Sequence, residues 1–238
     1  MKKYFLMVLI FSLAMAFACK RESKHSESEP PAAQVVSKCA RYAVNVFKEQ
    51  ERTNRLTTLA KTERVDMLST ESITNDKGVT VEVAHIQLSD GSKGYLEARH
   101  LADRVVVFMQ NTSAFQRNNT GSRVNATIPA GTLGFVIDEK DEWLQIYVGQ
   151  IDGRWLTQDW VNGGFSTDED LIADARFYEE ALTVLRNKNS KASEKQAALK
   201  RLEGLRTSTL FSEKAEEQIA IFTAEPELEP EPVEPGSD

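Results

Sequence analysis

The stretch TLGFVIDEKDEWLQIYVGQIDGRWLT (residues 132–157) decides the fold. It contains three short apolar runs that are rich in aromatic and β-branched residues, and the polar segments EKDE and GQIDG separate them. Short runs of this composition, with turn signals between them, are typical of β-strands. We therefore predict strands over Thr132–Asp138, Trp143–Val148 and Gly153–Thr157.

The middle strand of this stretch has two unlike faces. Successive side chains of a strand point to opposite sides, so alternate residues share a face. One face carries Leu144, Ile146 and Val148, and the other carries Trp143, Gln145 and Tyr147. The apolar face is expected to line a core, and we expect Trp143 and Tyr147 on the other face to be partly exposed.

A similar pattern occurs earlier in the chain. Residues 59–68 align with residues 128–137 at an offset of 69, and residues 94–101 align with residues 154–161 at an offset of 60. The fall in the offset indicates nine additional residues in the first copy, in the polar, turn-rich segment Ser69–Thr80. A period of this size is too long for a solenoid repeat. The sequence therefore predicts two tandem β domains, which we name the first and second copies.

The pattern changes after Phe165. Apolar residues then recur at helical spacing, at Leu171, Ile172, Ala175, Tyr178, Leu182 and Leu185. Ser166-Thr-Asp-Glu169 is a capping-box motif with acidic residues in the first turn. Ser193 and Ser212 are predicted to begin a second and a third short helix. The predicted fold class is therefore mainly β with an α-helical C-terminal segment of two or three short helices.

The order of motifs in the second copy resembles that of bacterial SH3-type (SH3b) domains. It runs through Ser113–Phe115, Asn118–Arg123, Ile128–Thr132, Glu142–Ile146, Gly153–Leu156 and Asp159–Val161. The first copy matches less well, through Val44–Val46, Leu59–Thr62, Gly94–Leu96 and His100–Leu101, and it has Val83 at the place of Trp143. The resemblance covers about residues 36–165. It implies two tandem small SH3-like β-barrels that bind cell-wall peptides or act as protein-interaction modules.

The N-terminus carries an export signal. Lys2 and Lys3 precede the 15-residue apolar run Tyr4–Ala18, which is shorter than the roughly 20 residues that a membrane-spanning helix needs. A short basic region followed by such a run predicts a secretory signal peptide over residues 1–18. The sequence predicts no transmembrane helix after it.

The residues that follow the signal resemble a bacterial lipobox. The motif is Ala16-Phe17-Ala18-Cys19. The commonest lipobox has Leu at the place of Ala16 and a small residue at the place of Phe17, but spirochaetes and some other bacteria tolerate looser forms. The resemblance implies acylation of Cys19 and a membrane anchor in the bacterial cell envelope. The alternative is ordinary signal cleavage, which would give a soluble periplasmic protein.

Charge is concentrated outside the predicted domains. The formal net charge is -7, but two of the bases lie in the signal peptide, and the segment Glu225–Asp238 holds six acids and no base. An exported, acidic protein is not expected to bind nucleic acid, which requires a basic surface. The predicted segments are a signal peptide (1–18), the lipidated cysteine with a disordered tether (19–34), barrel one (35–104), barrel two (105–165), a helical segment (166–223) and a disordered Pro/Glu tail (224–238).

The sequence predicts neither a cofactor nor a catalytic or metal site. A nucleophilic cysteine needs a histidine base, and Cys39 with His85 or His100 is the only candidate combination. Cys39, however, lies in the predicted first strand, where a buried or edge thiol is expected. If Cys19 is not acylated, a disulfide between Cys19 and Cys39 is an open alternative. We therefore expect a protein that is not an enzyme.

Aromatic residues of the second copy are the ligand-binding candidates, because aromatic faces bind extended peptides and dominate such interfaces. The candidates are Phe115, Trp143, Tyr147, Trp155 and Trp160. For Trp155, in the predicted final strand, a place in the core is the competing interpretation. The leading hypothesis is a membrane-anchored lipoprotein that binds a cell-wall peptide or an envelope protein. The alternative is an adhesin or an assembly or accessory protein whose helical segment and acidic tail contact the partner.

Overall fold

The computed structural model describes residues 35–74 and 78–224. The predicted signal peptide, Cys19, the tether and the Pro/Glu tail beyond Ala224 lie outside the described residues. In the described part of the chain, no helix has the length and hydropathy that crossing a membrane requires.

Strands make up both copies, and helices follow them. The first copy contains β1 (Val36–Ala40), β2 (Val44–Phe47), β3 (Arg55–Leu59), β4 (Arg64–Thr74), β5 (Thr80–Gln87), β6 (Lys93–Glu97) and β7 (Leu101–Ala102), with a short 3-10 turn at Ala98–His100. The second copy contains β8 (Arg104–Phe108), β9 (Thr112–Phe115), β10 (Val124–Ile128), β11 (Leu133–Lys140), β12 (Trp143–Tyr147), β13 (Gly149–Ile151), β14 (Arg154–Leu156), β15 (Asp159–Val161) and β16 (Phe165–Ser166). The helices are α1 (Glu169–Arg186), α2 (Ala192–Gly204) and α3 (Ser212–Ala224). The prediction of a mainly β fold with short C-terminal helices is confirmed.

The two copies form seven-stranded sheets with the same strand order. The first sheet runs β3-β2-β6-β5-β4-β1-β7, and the second runs β10-β9-β15-β12-β11-β8-β16. Each strand of one sheet therefore has a counterpart in the other. The hairpin β13–β14 forms a separate two-stranded sheet and has no counterpart among the described strands of the first copy.

Strand register shows which residues are equivalent in the two copies. Ile86 lies opposite Met67, and Ile146 lies opposite Val136, so the two isoleucines correspond at the predicted offset of 60. The additional length of the first copy lies in the long β4–β5 hairpin, where the sequence placed it.

The last part of the predicted alignment is wrong. Phe47 pairs with Tyr95 and Phe115 pairs with Trp160, so Tyr95 corresponds to Trp160, 65 positions later, rather than to Trp155. The error has a physical cause. The β13–β14 hairpin adds five residues to the second copy, and its sequence around Trp155 has the same strand-like composition as the true final strands.

The apolar run VVVF in β8 is buried on both faces. Val106 and Phe108 point into the core of the second sheet, whereas Val105 and Val107 point to the opposite side and pack with the helices. A strand that is covered on both sides needs a continuous apolar run rather than alternation. Burial of each such side chain stabilises the fold by about 1.5–3 kcal/mol.

The helices contact both copies. Their apolar side chains share one cluster with Phe135 and Leu133 of the second sheet and with Cys39 of the first. Lys61 forms an ion pair with Glu179 of α1, and Arg64 forms one with Glu169. The helices thus cover the second copy through apolar packing, and they contact the first copy through charged side chains and around Cys39.

The beginning of α1 differs from the prediction. Asp168, and not Ser166, caps the helix, because its carboxylate accepts hydrogen bonds from the backbone nitrogens of Asp170 (2.9 Å) and Leu171 (3.1 Å). Ser166 belongs to the edge strand β16, which pairs with β8. The capping-box motif therefore marked the right region but placed the helix start too early.

Candidate aromatic binding face

One row of side chains crosses four strands on the outer face of the second sheet. Register places Val124 of β10 opposite Phe115 of β9, Phe115 opposite Trp160 of β15, and Trp160 opposite Gln145 of β12. Residues directly opposite in antiparallel strands share a face. The chain neighbours of these residues that are buried in the core, such as Ala114, Val161 and Ile146, point the other way. We call Val124, Phe115, Trp160 and Gln145 the second-copy row.

Trp143 of β12 packs against Phe115 of this row. Its ring lies edge-on to the ring of Phe115, with the centroids 5.4 Å apart and an interplanar angle of 86°, a favourable aromatic geometry. Only 9% of Trp143 is exposed. The expectation of partial exposure for Trp143 is therefore wrong, because Phe115 from another strand packs against the indole.

Tyr147 lies away from the row, where the two copies meet. The guanidinium of Arg41 sits 5.3 Å from the centroid of the Tyr147 ring, and the ring of Tyr42 lies 6.1 Å from it. Tyr42 in turn forms a hydrogen bond with Nδ1 of His100, and Arg41 Nε donates to the Leu101 carbonyl oxygen at 3.1 Å. Tyr147 is half-buried as expected, but its partners belong to the first copy, so it holds the copies together.

Trp155 is the most exposed candidate, at 62%. It lies in β14, which among the described strands pairs with β13 alone. The interpretation of Trp155 as a core residue is therefore wrong. The next residue, Leu156, is fully buried in the core of the second copy, and alternation along the strand then points Trp155 outward.

A chain of hydrogen bonds ties this hairpin to the strands of the row. Arg154 Nη1 donates to the carbonyl oxygen of Asn125, and Asn125 Nδ2 donates to Oδ1 of Asp159 at 2.7 Å. Asn125 follows Val124 and Asp159 precedes Trp160 in the chain. The hairpin that carries Trp155 is thus fixed to the two strands that carry Val124 and Trp160.

The loop between β9 and β10 makes one end of the row basic. Residues 116–123 read QRNNTGSR and contain two arginines and no acid. Arg117 and Arg123 are exposed, and hydrogen bonds from Gln116 N to Arg123 O (2.9 Å) and from Arg117 N to Ser122 Oγ (3.0 Å) close the loop directly beyond Phe115. Cations therefore lie beside aromatic side chains at this end of the face.

The first copy has an equivalent row that the sequence analysis missed. Register aligns Arg55, Phe47, Tyr95 and His85 across β3, β2, β6 and β5. The rings of His85 and Tyr95 stack, with centroids 4.6 Å apart and an interplanar angle of 12°. The signal that could have revealed this row is the correct alignment of Tyr95 with Trp160.

The electrostatics of the first-copy row are different. Its loop, residues 48–54, reads KEQERTN and is neutral. Arg52 of this loop forms an ion pair with Glu97. Burial alone would raise the pKa of Glu97, but the hydrogen bond and the charge of Arg52, together with Arg99, hold that pKa below its usual range. The arginine of this loop is therefore neutralised within the first copy, by Glu97.

A cleft of about 600 Å³ lies beside β1, the β4–β5 hairpin and the 3-10 turn of the first copy. Its lining includes the bases Lys38, Arg41 and Arg99 and the acids Glu82, Glu97 and Asp103. Most of these charges already have partners, since Lys38 pairs with Asp103 and Arg99 pairs with Glu97. The cleft has the size of a ligand pocket but offers little uncompensated charge.

Cys39 is a free thiol in the core and is 2% exposed. Burial raises its pKa to about 11, so the nucleophilic thiolate is disfavoured at neutral pH. His85 and His100, its candidate bases, are engaged with Tyr95 and Tyr42. In residues 35–74 and 78–224, no group of three or more His, Cys, Asp or Glu side chains is placed to hold a metal ion.

Comparisons with known proteins give one family and weak structural likenesses. No match was found among curated proteins. Among solved structures, NlpC2 from Trichomonas vaginalis is 11% identical with a TM-score of 0.24, and the alignment covers 65% of this chain and 56% of that one. For NlpC1 from Trichomonas vaginalis the identity is 12% and the TM-score 0.23, with coverage of 66% and 55%. This chain thus spans little more than half the length of these proteins.

The family comparison covers most of the sequence. The family model described as lipoprotein LenA matches residues 5–220. Such a match supports the prediction of a bacterial lipoprotein that is exported and associated with the envelope. The chain belongs to the lipoprotein LenA family.

Proposed function

We propose that this lipoprotein is not an enzyme and that it binds an extended peptide of the cell envelope on the second-copy row. The peptide belongs to peptidoglycan or to an envelope protein. The observation that carries this proposal is the row itself, because Phe115 and Trp160 lie side by side and partly exposed on a sheet face. Trp143 holds Phe115 edge-on, so the face is preformed and loses little freedom on binding.

The dimensions of the row suit an extended chain. Neighbouring strands lie about 4.8 Å apart, so the four strands of the row span roughly 14 Å, the length of about four residues of extended peptide. A partly exposed face of this length fits a peptide better than a compact small molecule. The SH3b resemblance of both copies leads to the same ligand class.

The N-terminal residues complete the proposed arrangement. Acylation of Cys19 anchors the chain to a membrane, since each buried methylene contributes about 0.8 kcal/mol. Residues 20–34 act as a tether that lets the sheets bind ligands at a distance from the membrane. Ordinary signal cleavage would instead release the same binding face into the periplasm.

A second candidate function uses the helices. Phe177 of α1 and Ile221 of α3 are exposed apolar side chains, and they are available to a protein partner in an adhesin or assembly role. The remaining apolar side chains of the helices are largely buried against the second copy. The observations therefore favour the aromatic row.

Sedimentation with purified cell-wall sacculi tests both functions. The chain is produced with Cys19→Ser so that no lipid contributes. We expect Trp160→Ala to weaken binding about tenfold or more, as loss of an aromatic anchor does, and Tyr95→Ala, at the equivalent position of the first copy, to have little effect. Circular dichroism checks that each variant is folded.

Two results would contradict the proposal. No sedimentation with sacculi, either by the parent chain or by the chain that ends at Ala224, refutes a peptidoglycan ligand. Unchanged binding by Trp160→Ala, with loss of binding by the double variant Phe177→Ala and Ile221→Ala, assigns the contact to the helices. Point variants are preferable to deletion of the helices, since deletion would expose Val105 and Phe135, which the helices cover.

A further inference from the structure

We infer that the second-copy row is selective for acidic, proline-containing segments and that residues 225–238 of this chain occupy it. The inference rests on the proposed function only in using the same face. It adds the chemistry of the ligand, and it makes the tail a competitor of any envelope ligand.

The charge around the row favours an acidic ligand. Arg117 and Arg123 are exposed at the β9–β10 end, and none of the ion pairs among residues 35–74 and 78–224 includes either of them. Asp159, next to Trp160 in the chain, is buried and engaged by Asn125. The acids Asp141 and Glu142 lie in the β11–β12 turn, next to Trp143 at the other end of the face. One end of the row therefore offers cations that have no carboxylate partner in the described part of the chain.

The aromatic side chains of the row favour a ligand that contains proline. Proline-rich segments favour the polyproline II conformation, which costs little entropy to bind, and their rings pack into aromatic-lined grooves. Phe115 and its neighbour Trp160 supply aromatic surface next to the arginine-bearing loop, and Trp155 is exposed on the hairpin that is tied to the same strands. A ligand that alternates proline with a carboxylate fits both features at once.

The tail has this composition. Residues 225–238 read EPELEPEPVEPGSD, with four prolines, six acids and no base. Each proline can pack on an aromatic ring while a neighbouring glutamate meets Arg117 or Arg123.

The attachment point of the tail allows it to reach the row. Lys214, near the start of α3, donates a hydrogen bond to the Ala130 carbonyl oxygen, and Ala130 lies just beyond β10, the strand of Val124. From Lys214, α3 extends for about 15 Å to Ala224, and from Ala130, β10 leads back for about 20 Å to Val124. Fourteen residues in the polyproline II conformation cover roughly 43 Å, which is comparable with the longest separation that these contacts permit.

The equivalent row of the first copy is the matched control. It also presents aromatic rings, in Phe47 and Tyr95, but its loop is neutral and Arg52 is already paired with Glu97. An acidic ligand should therefore discriminate between two faces of the same architecture.

The test uses the chain that ends at Ala224, which retains all of the contacts described above, and a synthetic peptide of residues 224–238. Tryptophan fluorescence follows the titration. We expect saturable binding that weakens about fivefold in the double variant Arg117→Gln and Arg123→Gln, and that weakens further when the salt is raised from about 50 to about 300 mM. Trp160→Ala should abolish binding, and Tyr95→Ala should leave it unchanged. The chain that includes its tail should bind the peptide at least about fivefold more weakly.

Each contrary result overturns a stated part of the inference. Absence of saturation at roughly 1 mM peptide, or equal binding by the double arginine variant, refutes the acidic ligand class. The comparison with the double arginine variant remains valid if Trp160→Ala fails to fold, because the two arginines lie on an exposed loop. Equal peptide binding by the chains with and without the tail refutes occupancy by the tail.

Sedimentation of the tail-less chain with sacculi separates this inference from the proposed function. Binding to sacculi without binding to the tail peptide refutes the inference and leaves the proposed function standing. Binding to the peptide without binding to sacculi refutes a peptidoglycan ligand and leaves the inference about the tail standing.

Discussion

Replacement of Phe211 by alanine tests whether the helical segment is part of the folded unit. Phe211 is 0% exposed and lies immediately before α3. Its ring is 5.2 Å from the ring of Tyr178 on α1, and a Cβ added at Gly131 in the β10–β11 turn would lie 2.9 Å from Phe211 Cε1. The side chain thus joins two helices to a turn of the second sheet.

The expected cost follows from this burial. Truncation of a fully buried phenylalanine loses its transfer free energy and leaves a cavity, and it typically costs about 3–5 kcal/mol. In a chain of this length, each kcal/mol lowers the melting temperature by about 2–4 °C. We therefore expect Phe211→Ala to lower the melting temperature by roughly 10 °C and to shift the urea midpoint by about 1.5–2.5 M, with a slope near 2 kcal/mol/M.

Urea and thermal denaturation, followed by circular dichroism, measure both quantities. Phe177→Ala is the matched control, because Phe177 lies on α1 but is 39% exposed, and its truncation should cost less than about 1 kcal/mol. A loss below about 1 kcal/mol for Phe211→Ala, or equal losses for the two variants, would show that α3 does not pack on the second sheet as described.

Two further predictions concern ionisable side chains. The pKa of Glu97 is depressed in the folded state, so its ion pairs stabilise the fold above the unfolded pKa of about 4.3, and this contribution disappears as the pH falls through the folded pKa. Urea midpoints between neutral and acidic pH should therefore fall less for Glu97→Gln than for the parent, and parallel pH profiles would contradict this. Cys39, with a folded pKa of about 11, should react with a thiol reagent at about pH 8 only after unfolding, and rapid labelling of the folded chain would show that the thiol is accessible.

The sequence predicted the strands and helices where local pattern determines them. Alternation in Trp143–Tyr147 and the apolar run in β8 reflect which side chains are buried, and this information is local. The alignment of the two copies failed at Trp155 because composition cannot distinguish a strand of the main sheet from a strand of an inserted hairpin. Only pairing across the sheet, between Phe115 and Trp160, decides that question.

Alternation along a strand predicts the face on which a side chain lies, but it does not predict whether that side chain is exposed. Alternation correctly places Trp143 and Tyr147 on the outer side of β12, yet neither side chain is free there. The ring of Phe115, 28 positions earlier in the sequence, packs against Trp143, and Arg41 and Tyr42 of the first copy pack against Tyr147. What covers a face depends on contacts between distant segments. Trp155 is exposed and Trp160 is partly exposed, and both lie near the inserted hairpin, so the proposed binding face lies where the second copy departs from the first.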